Sequence, residues 1–112
     1  MQMNKTHDIK VSPEREYVIV CNEHSGIWSG CVLFWGSLTD DGAERRSFGG
    51  YTTGVDLCER YTLEEARSFS PDFVLYEPGM SYQEFRSHRD VIIKPEQLAG
   101  LGLRTMQIWY RP

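Results

Sequence analysis

Basic residues are few and dispersed in this chain of 112 residues, which contains three lysines and nine arginines. Arg45-Arg46 is the one basic doublet, and the formal net charge is −4. Proteins that bind nucleic acid neutralise phosphates with clustered Lys and Arg side chains. The composition therefore argues against a nucleic-acid partner. The acidic residues are interleaved with arginine rather than massed, so a DNA mimic is not indicated either.

Cysteines and long apolar runs are also scarce. Cys21, Cys31 and Cys58 form an odd set without regular spacing, which does not suit a disulfide framework. Apolar runs such as Cys31–Trp35 are far shorter than the about 20 residues that a membrane helix needs. The first ten residues are polar and do not resemble a signal peptide. We therefore expect free thiols, no membrane association and a cytoplasmic location.

One metal pattern is present, and it is incomplete. Cys21, His24 and Cys31 span a predicted hairpin loop, and only Glu23 or Cys58 is at hand as a fourth zinc ligand. Strand cysteines that pack in a core explain the same residues more simply. We predict no metal site and no cofactor.

Catalytic patterns are equally weak. His88-Arg89-Asp90 has the letters of a kinase catalytic loop, but a chain of this length cannot hold the rest of a kinase site. Nucleophilic catalysis requires Ser or Cys beside a base and a carboxylate, and the sequence indicates no such group. We predict no catalytic residue. A small hydrolytic enzyme that uses His24 or His88 is the last alternative.

The chain does contain enough apolar and aromatic material for one folded domain. Hydrophobic residues make up 40% of it and aromatic residues 12%. A chain of this size buries roughly 60–70% of its unfolded surface. Residues 1–15 are polar, and we expect them to form a loose N-terminal arm. Residues 16–112 are expected to form a single domain.

Three strands are predicted in the first half of the chain, over residues 16–21, 30–38 and 45–53. β-Branched and aromatic residues fill the first two, and Asp41-Gly42 is a turn signal before the third. Both faces of the first two strands are apolar, whereas a strand with one solvated face alternates. These strands are therefore covered on both sides in the domain, or one of their apolar faces binds a partner.

Two capping-box patterns, Thr62 with Glu65 and Ser81 with Glu84, predict helices that begin there. The other predicted elements are short: a strand over 72–77, an extended run over 91–93, a helix from Pro95 and a last strand over 104–110. The expected fold is α+β, with a small, mostly antiparallel sheet of four to five strands and two or three short helices. Its element order is roughly βββαβααβ.

Two groups of residues are candidates for a binding site. Trp, Tyr and Arg are the residue types most enriched in protein–protein hot spots. The candidates for protein binding are Trp28, Arg45, Arg46, Tyr51 and Trp109. An alternative site for a nucleotide-like small molecule uses a glycine-rich return and nearby rings: Trp35, Gly49, Gly50, Tyr51, Thr52 and Thr53.

One block of the chain resembles a group of small proteins of bacteriophages and prophages. It comprises Phe34-Trp35-Gly36, Gly50-Tyr51-Thr52-Thr53 and Tyr61-Thr62-Leu63-Glu64-Glu65-Ala66, and follows the pattern W-G…G-Y-T…Y-T-x-E-E-A. The likeness covers about a third of the chain. It implies an accessory protein that binds and inhibits a host defence or regulatory protein, and it assigns no catalytic residue. This resemblance and the two strands that are apolar on both faces lead us to predict a non-enzymatic protein-binding domain that forms a homodimer.

Overall fold

The structure is a computed structural model that describes residues 9–23 and 31–104. In these residues five strands form one sheet, together with two α-helices and a 3₁₀-helix. The elements in chain order are β1 (Val18–Cys21), β2 (Phe34–Trp35), β3 (Tyr51–Thr52), α1 (Leu63–Phe69), β4 (Val74–Leu75), α2 (Tyr82–Ser87), β5 (Asp90–Ile93) and the 3₁₀-helix Pro95–Leu101. The sheet has the order β3-β2-β1-β5-β4, antiparallel except for the parallel pair β4–β5. The predicted α+β class with a mostly antiparallel sheet is confirmed.

The predicted and observed element orders differ after α2. The run that looked merely extended is the strand β5, which pairs with β1 over four residues and with β4 over two. Its three consecutive β-branched residues suit a strand that is buried on both faces. The predicted last strand falls almost entirely on residues outside the described ranges. Within those ranges the order is βββαβαβ, followed by the 3₁₀-helix.

The strand β1 lies in the middle of the sheet and is buried on both faces. It pairs with β2 on one side and with β5 on the other, and none of its four residues is more than 1% exposed. Successive side chains of a strand point to opposite faces. Accordingly Val18 and Val20 pack in one part of the core and Ile19 packs in the other. The prediction that this strand is covered on both sides is confirmed within a single chain.

We call the side of the sheet that carries Val18 and Val20 the closed face. Val91 and Ile93 of β5 lie in the same part of the core. Helix α2 covers this face with Phe85, which is 1% exposed, and the 3₁₀-helix covers it with Leu101. Full burial of a side chain such as Phe contributes about 1.5–3 kcal/mol. Two short helices therefore seal this face.

We call the opposite side the aromatic face. It carries Ile19 of β1 and Ile92 of β5, and helix α1 packs on it through the buried Ala66. Tyr61 and Phe73, which lie on either side of α1 in the sequence, complete this part of the core. Towards β2 and β3 the cover is no longer a helix but a set of aromatic rings.

Both α-helices begin at their predicted caps. The Glu65 N–H donates to Thr62 Oγ1 at 3.0 Å, and the Thr62 N–H donates to Glu65 Oε1 at 2.8 Å. Helix α2 begins with the first of these two bonds, because the Glu84 N–H donates to Ser81 Oγ at 3.0 Å. A cap of this kind contributes about 1 kcal/mol. Helices of only seven and six residues depend on such caps and on tertiary packing.

Residues 9–15 contact the folded domain. The N–H of Lys10 donates to Asp40 Oδ1 at 2.9 Å. Arg15 donates two parallel hydrogen bonds of 3.1 and 2.9 Å to the carboxylate of Glu65. The other residues of the predicted N-terminal arm lie outside the described ranges, and the domain boundary at residue 15 stays a prediction.

Candidate binding surface

Five aromatic side chains form one group beside α1: Trp35, Phe48, Tyr51, Phe69 and Phe73. The ring centroid of Trp35 lies 5.3 Å from that of Tyr51, 5.7 Å from Phe69 and 5.9 Å from Phe73. Phe48 and Phe69 stack at 4.2 Å with their planes 8° apart. Edge-to-face and offset-stacked pairs contribute about 0.5–1.5 kcal/mol each beyond burial. The group is therefore held together by its own ring contacts.

Two members of this group reach solvent. Tyr51 is 42% exposed and Phe69 is 48% exposed, whereas Trp35 between them is half-buried. Single exposed apolar residues are ordinary, but a contiguous exposed patch marks an interaction site. We define the aromatic surface as Trp35, Tyr51 and Phe69.

Local structure fixes the positions of these three side chains. The register of β2 and β3 sets Trp35 opposite Tyr51, and directly opposed residues of antiparallel strands have Cβ atoms about 4.5–5.5 Å apart. Phe69 is the last residue of α1, which ends at Ser70 because Pro71 disfavours helical backbone in the residue before it. The end of the helix thus brings Phe69 to the edge of the paired strands.

The indole of Trp35 is oriented by a buried carboxylate. Its Nε1–H donates to Oδ1 of Asp90 at 2.9 Å, and Asp90 is 7% exposed at the start of β5. A buried polar group left without a partner costs about 1–3 kcal/mol, and hydrogen bonds to ionised acceptors are the stronger kind. This bond therefore fixes the indole ring and keeps a carboxylate beside the aromatic surface.

The hydroxyl of Tyr51 lies in an acidic environment. Burial is the largest cause that raises the pKa of Tyr51, followed by an electrostatic interaction and a hydrogen bond with Cys21. The negative charges of Asp90 and Glu23 raise this pKa further. Since the ordinary pKa of tyrosine is about 10, Tyr51 presents a neutral phenol at physiological pH.

Arg89 lies between two carboxylates at the rim of the aromatic surface. Its Nε is 3.4 Å from Oδ2 of Asp90 and 4.0 Å from Oε2 of Glu23. The side chains of Arg89 and Glu23 are 69% and 52% exposed. Exposed ion pairs contribute about 0–1 kcal/mol. The rim therefore holds two negative charges and one positive charge, and the positive one is weakly held.

A buried carboxylate organises the loop between β2 and β3. Glu59 is 0% exposed and accepts the N–H groups of Thr39 at 3.1 Å, Ser47 at 2.8 Å and Arg60 at 3.0 Å. The hydroxyl of Thr39 also donates to it. A buried charge is stable only when it is paired and hydrogen-bonded. Both ends of the loop are thus tied to one side chain.

Tyr61 and Gly36 connect this loop to the rings. The hydroxyl of Tyr61 donates to the carbonyl oxygen of Ser47 at 2.5 Å, and its ring stacks on Phe48 at 4.8 Å. Burial, with a further contribution from Glu59, raises the pKa of Tyr61 far above its usual value. Gly36 has φ of +76°, and a Cβ there would overlap the Ser47 carbonyl oxygen. Only glycine fits this close approach.

The sequence-predicted residues for protein binding fall into four groups, and Arg46 forms the fourth by itself. Tyr51 lies on the aromatic surface. Arg45 is exposed on the loop between β2 and β3, away from any ring contact that the structure records. Trp28 and Trp109 lie outside the described residues, and their roles stay predictions.

Arg46 differs from the other predicted contacts because its side chain is buried, at 8% exposure. Its guanidinium donates to the carbonyl oxygens of Asp40 at 3.0 Å and Ala43 at 3.3 Å, and lies 3.8 Å from Glu59. This arginine completes the polar network inside the loop. It does not contribute to an exposed contact surface.

The residues of the alternative ligand site are only partly brought together. Trp35 and Tyr51 are neighbours, whereas Gly49 and Gly50 are exposed, and a Cβ at either glycine would meet nothing within 4 Å. Glycine is favoured at position 50 by the φ of +75° and not by a close approach. The remaining two residues lie in and after β3: Thr52, half-buried, and Thr53, exposed.

A shallow depression of about 270 Å³ lies elsewhere, and it shares no residue with the alternative ligand site. Its lining residues are Val11, Arg15, Leu38, Asp56 and Arg60. Arg15 is already paired with Asp41 and Glu65. The Arg15 guanidinium is therefore already engaged within the protein.

Two residues of the site were not indicated by the sequence, namely Phe69 and Asp90. The only available signal for Phe69 was its place at the end of a capped helix, directly before Ser70-Pro71. Asp90 contacts its neighbour Arg89, and it is buried where the indole of Trp35 binds it. That partner lies 55 positions away in the sequence, and no local pattern indicates it.

The thiol of Cys58 lies in the part of the core on the closed face. Burial is the main cause that raises the pKa of Cys58 to about 12, so its thiol is inert. Among the residues that the structure describes, no group of three or more His, Cys, Asp or Glu residues is arranged to hold a metal ion. In the same ranges, no helix has the length and apolar character to cross a bilayer.

No protein-family model, curated protein or solved structure matches this chain. The resemblance to small bacteriophage proteins therefore rests on the sequence block alone. Function is inferred below from the geometry of the aromatic surface.

Proposed function

We propose that this protein is a non-enzymatic protein-binding domain and that the aromatic surface is its contact site. The observation that supports this most directly is that Tyr51 and Phe69 are nearly half exposed while their rings are held in place. Aromatic side chains that are already fixed lose little conformational entropy on binding, and they are enriched in interface hot spots. In keeping with the resemblance to bacteriophage proteins, the proposed partner is a host protein with a defence or regulatory role.

A homodimer has less support than a different protein partner. The apolar faces of β1 that favoured self-association are buried within one chain. Native mass spectrometry of the wild-type protein tests the remaining prediction. A doubled mass that reverts to the monomer mass in Tyr51→Ala would make a second copy the partner.

The alternative function, binding of a nucleotide-like molecule, is favoured only by the adjacent rings of Trp35 and Tyr51. The open position of the two glycines gives no cradle for phosphate. A thermal-shift panel of nucleotides tests it. We expect no concentration-dependent rise in the melting temperature, and a saturable rise would support this alternative.

Site-specific photo-crosslinking tests the proposed contact site. A photoreactive benzoylphenylalanine is introduced at position 51, 69 or 82, one at a time, in the cells that express the protein. Tyr82 is the matched control, because it is 50% exposed and belongs to α2, which covers the closed face. We expect one protein to crosslink from positions 51 and 69 and not from position 82.

The crosslinked protein is then purified, and its binding is measured by isothermal titration calorimetry. We expect Tyr51→Ala and Phe69→Ala to weaken binding by more than about tenfold, as at interface hot spots. The control Tyr82→Ala should change affinity by less than about twofold. Crosslinks confined to position 82, or unchanged affinity of both surface variants, would contradict the proposal.

A further inference from the structure

The strand β4 forms one edge of the sheet, and part of its backbone faces away from the other strands. It pairs with β5 in parallel, with Val74 beside Val91 and Leu75 beside Ile92. The N–H of Tyr76, directly after β4, donates to the Ile92 carbonyl oxygen at 2.9 Å. In a parallel pair, every second residue directs both backbone groups to the neighbouring strand. The N–H and C=O of Leu75 therefore point away from the sheet.

These two backbone groups of Leu75 have no hydrogen-bond partner among the residues that the structure describes. Unpaired groups at a sheet edge are a template for another strand, and many proteins block such an edge with Lys or Pro. The strand β4 contains neither, and its two residues are apolar and half-buried. Because β4 is short, an added strand makes few backbone bonds, and its side chains must contribute to binding as well.

Two carboxylates flank this edge. Asp72 lies two positions before β4 and Glu77 lies two positions after it, and both residues are exposed. Within the described ranges, neither side chain has a hydrogen bond or an ion pair. Opposite charges that face each other on neighbouring strands attract, and like charges repel. The flanks therefore favour a strand with a basic residue at each end, and they disfavour a second copy, which would bring acidic flanks together.

We propose that the edge of β4 binds an extended segment of a partner protein by strand addition, and that this segment has a Lys or Arg at each end. One residue in its middle exchanges two backbone hydrogen bonds with Leu75 in an antiparallel pair. The basic ends face Glu77 and Asp72. The net charge of −4 favours the approach of such a segment. This inference goes beyond the proposed function, because the site does not include the aromatic surface.

Amide hydrogen exchange, measured by NMR on the full chain, tests whether the edge is open. We expect the Leu75 amide to exchange with solvent at least about tenfold faster than the Tyr76 amide, which is bonded to Ile92. Equal protection of the two amides would overturn the inference, because the edge would then be paired already.

A peptide titration followed by NMR tests the strand addition. The probe is acetyl-Lys-Val-Thr-Val-Thr-Lys-amide, and we expect saturable shifts and slower exchange of the Leu75 amide. N-methylation of the third peptide residue removes the N–H that donates to Leu75 and should weaken binding more than about tenfold. N-methylation of the fourth residue, whose N–H faces away, should weaken it less than about threefold. Equal effects of the two methyl groups, or no saturable shift, would overturn the inference.

Substitutions in the protein sharpen the same titration. Leu75→Pro removes an N–H that the sheet does not use, and proline is tolerated on edge strands, so only peptide binding should be lost. Leu75→Val keeps the N–H and controls for the lost packing, with affinity expected within about threefold of the wild type. Glu77→Gln should weaken binding by about two- to fivefold. Glu44→Gln, in the exposed loop beside the opposite edge of the sheet, should have no effect. Equal effects of the two Glu variants would overturn the role of the basic ends.

Native mass spectrometry tests the other occupant. A dimer that Leu75→Pro converts to a monomer would make a second copy the occupant and would overturn the choice of a basic segment. The inference and the proposed function can fail separately. Crosslinks at positions 51 and 69 report on the aromatic surface, whereas the peptide titration reports on β4, and either result stands without the other.

Discussion

The closed face and the aromatic face share the strands β1 and β5, but they are completed by different means. On the closed face, α2 and the 3₁₀-helix bury Phe85 almost entirely. On the aromatic face, the cover ends in rings that remain half exposed. Two of the deeper rings there have a polar anchor, because Trp35 donates to Asp90 and Tyr61 donates to Ser47.

This difference teaches how a small domain keeps apolar side chains at its surface without losing their order. A side chain inside a core is fixed by packing alone. A ring at the surface has fewer neighbours, so hydrogen bonds and ring contacts must set its orientation. The aromatic face therefore combines stability with recognition, whereas the closed face serves stability.

The same substitution on each face tests this comparison most strongly. Phe85→Ala should lower the free energy of unfolding by about 3–5 kcal/mol, because it leaves a cavity in the closed face. Phe69→Ala should lower it by less, about 1.5–3 kcal/mol, because the side chain is 48% exposed and loses chiefly its three ring contacts. Urea denaturation measures both values. Equal losses would show that the faces do not differ in this way.

The next largest effect is expected from the buried carboxylate that supports the aromatic face. Glu59→Gln introduces an amide NH₂ among groups that all donate, and we expect a loss of about 2–4 kcal/mol in the free energy of unfolding. Glu44→Gln is the control in the same loop, since Glu44 is exposed, and should stay within about 0.5 kcal/mol. If both variants unfold at the same urea concentration, Glu59 does not organise the loop.

A smaller and pH-dependent effect is expected at the start of α1. Burial raises the pKa of Glu65, but the hydrogen bonds from Arg15 and the Thr62 N–H outweigh it, so the net pKa is lowered. A carboxyl group with a lowered pKa in the folded state stabilises the protein above its ordinary pKa of about 4.3, and this contribution is lost as the pH falls through the folded value.

We therefore expect Glu65→Gln to cost about 1 kcal/mol at pH 7 and progressively less below pH 4. Urea denaturation of the variant and the wild type from pH 7 to pH 3 measures the difference. Glu64→Gln, at an exposed position of the same helical turn, provides the comparison and should show a smaller, flatter difference. A difference at Glu65 that grows towards acidic pH would contradict the assignment.

The smallest effect on stability is expected where the effect on binding is largest. Tyr51→Ala should lower the free energy of unfolding by less than about 1 kcal/mol, because the side chain is 42% exposed and its main ring contact is with Trp35. Differential scanning calorimetry measures this change. A loss comparable to that of Phe85→Ala would place Tyr51 among the core residues.

The parts of the fold that could be predicted are those specified by neighbouring residues. Thr62 with Glu65 and Ser81 with Glu84 marked both helix starts, because a capping box is contained in four consecutive residues. The apolar character of β1 on both faces identified a central strand. The predicted strands over 30–38 and 45–53 were too long, since only two residues of each form the observed strands β2 and β3.

The reason for the shorter strands is a competing hydrogen-bond acceptor. The N–H of Leu38, which a longer hairpin would pair with residue 48, donates to the carbonyl oxygen of Leu57 at 2.9 Å instead. The same kind of distant contact explains why the site was only partly predicted. Tyr51 was recognised by its residue type. The burial of Arg46, in contrast, depends on Glu59, which lies thirteen positions further along the chain.

The tie between the loop and Glu59 also makes the tip of that loop a suitable place to graft foreign sequence. The backbone at Thr39 and Ser47 is held at the base, while residues 41–45 between them are exposed. Exposed loop tips are where insertions are tolerated, and the entropic cost of a longer loop grows slowly with its length. A peptide epitope inserted between Glu44 and Arg45 would be displayed on a fixed stem, leaving the rings of the aromatic surface undisturbed.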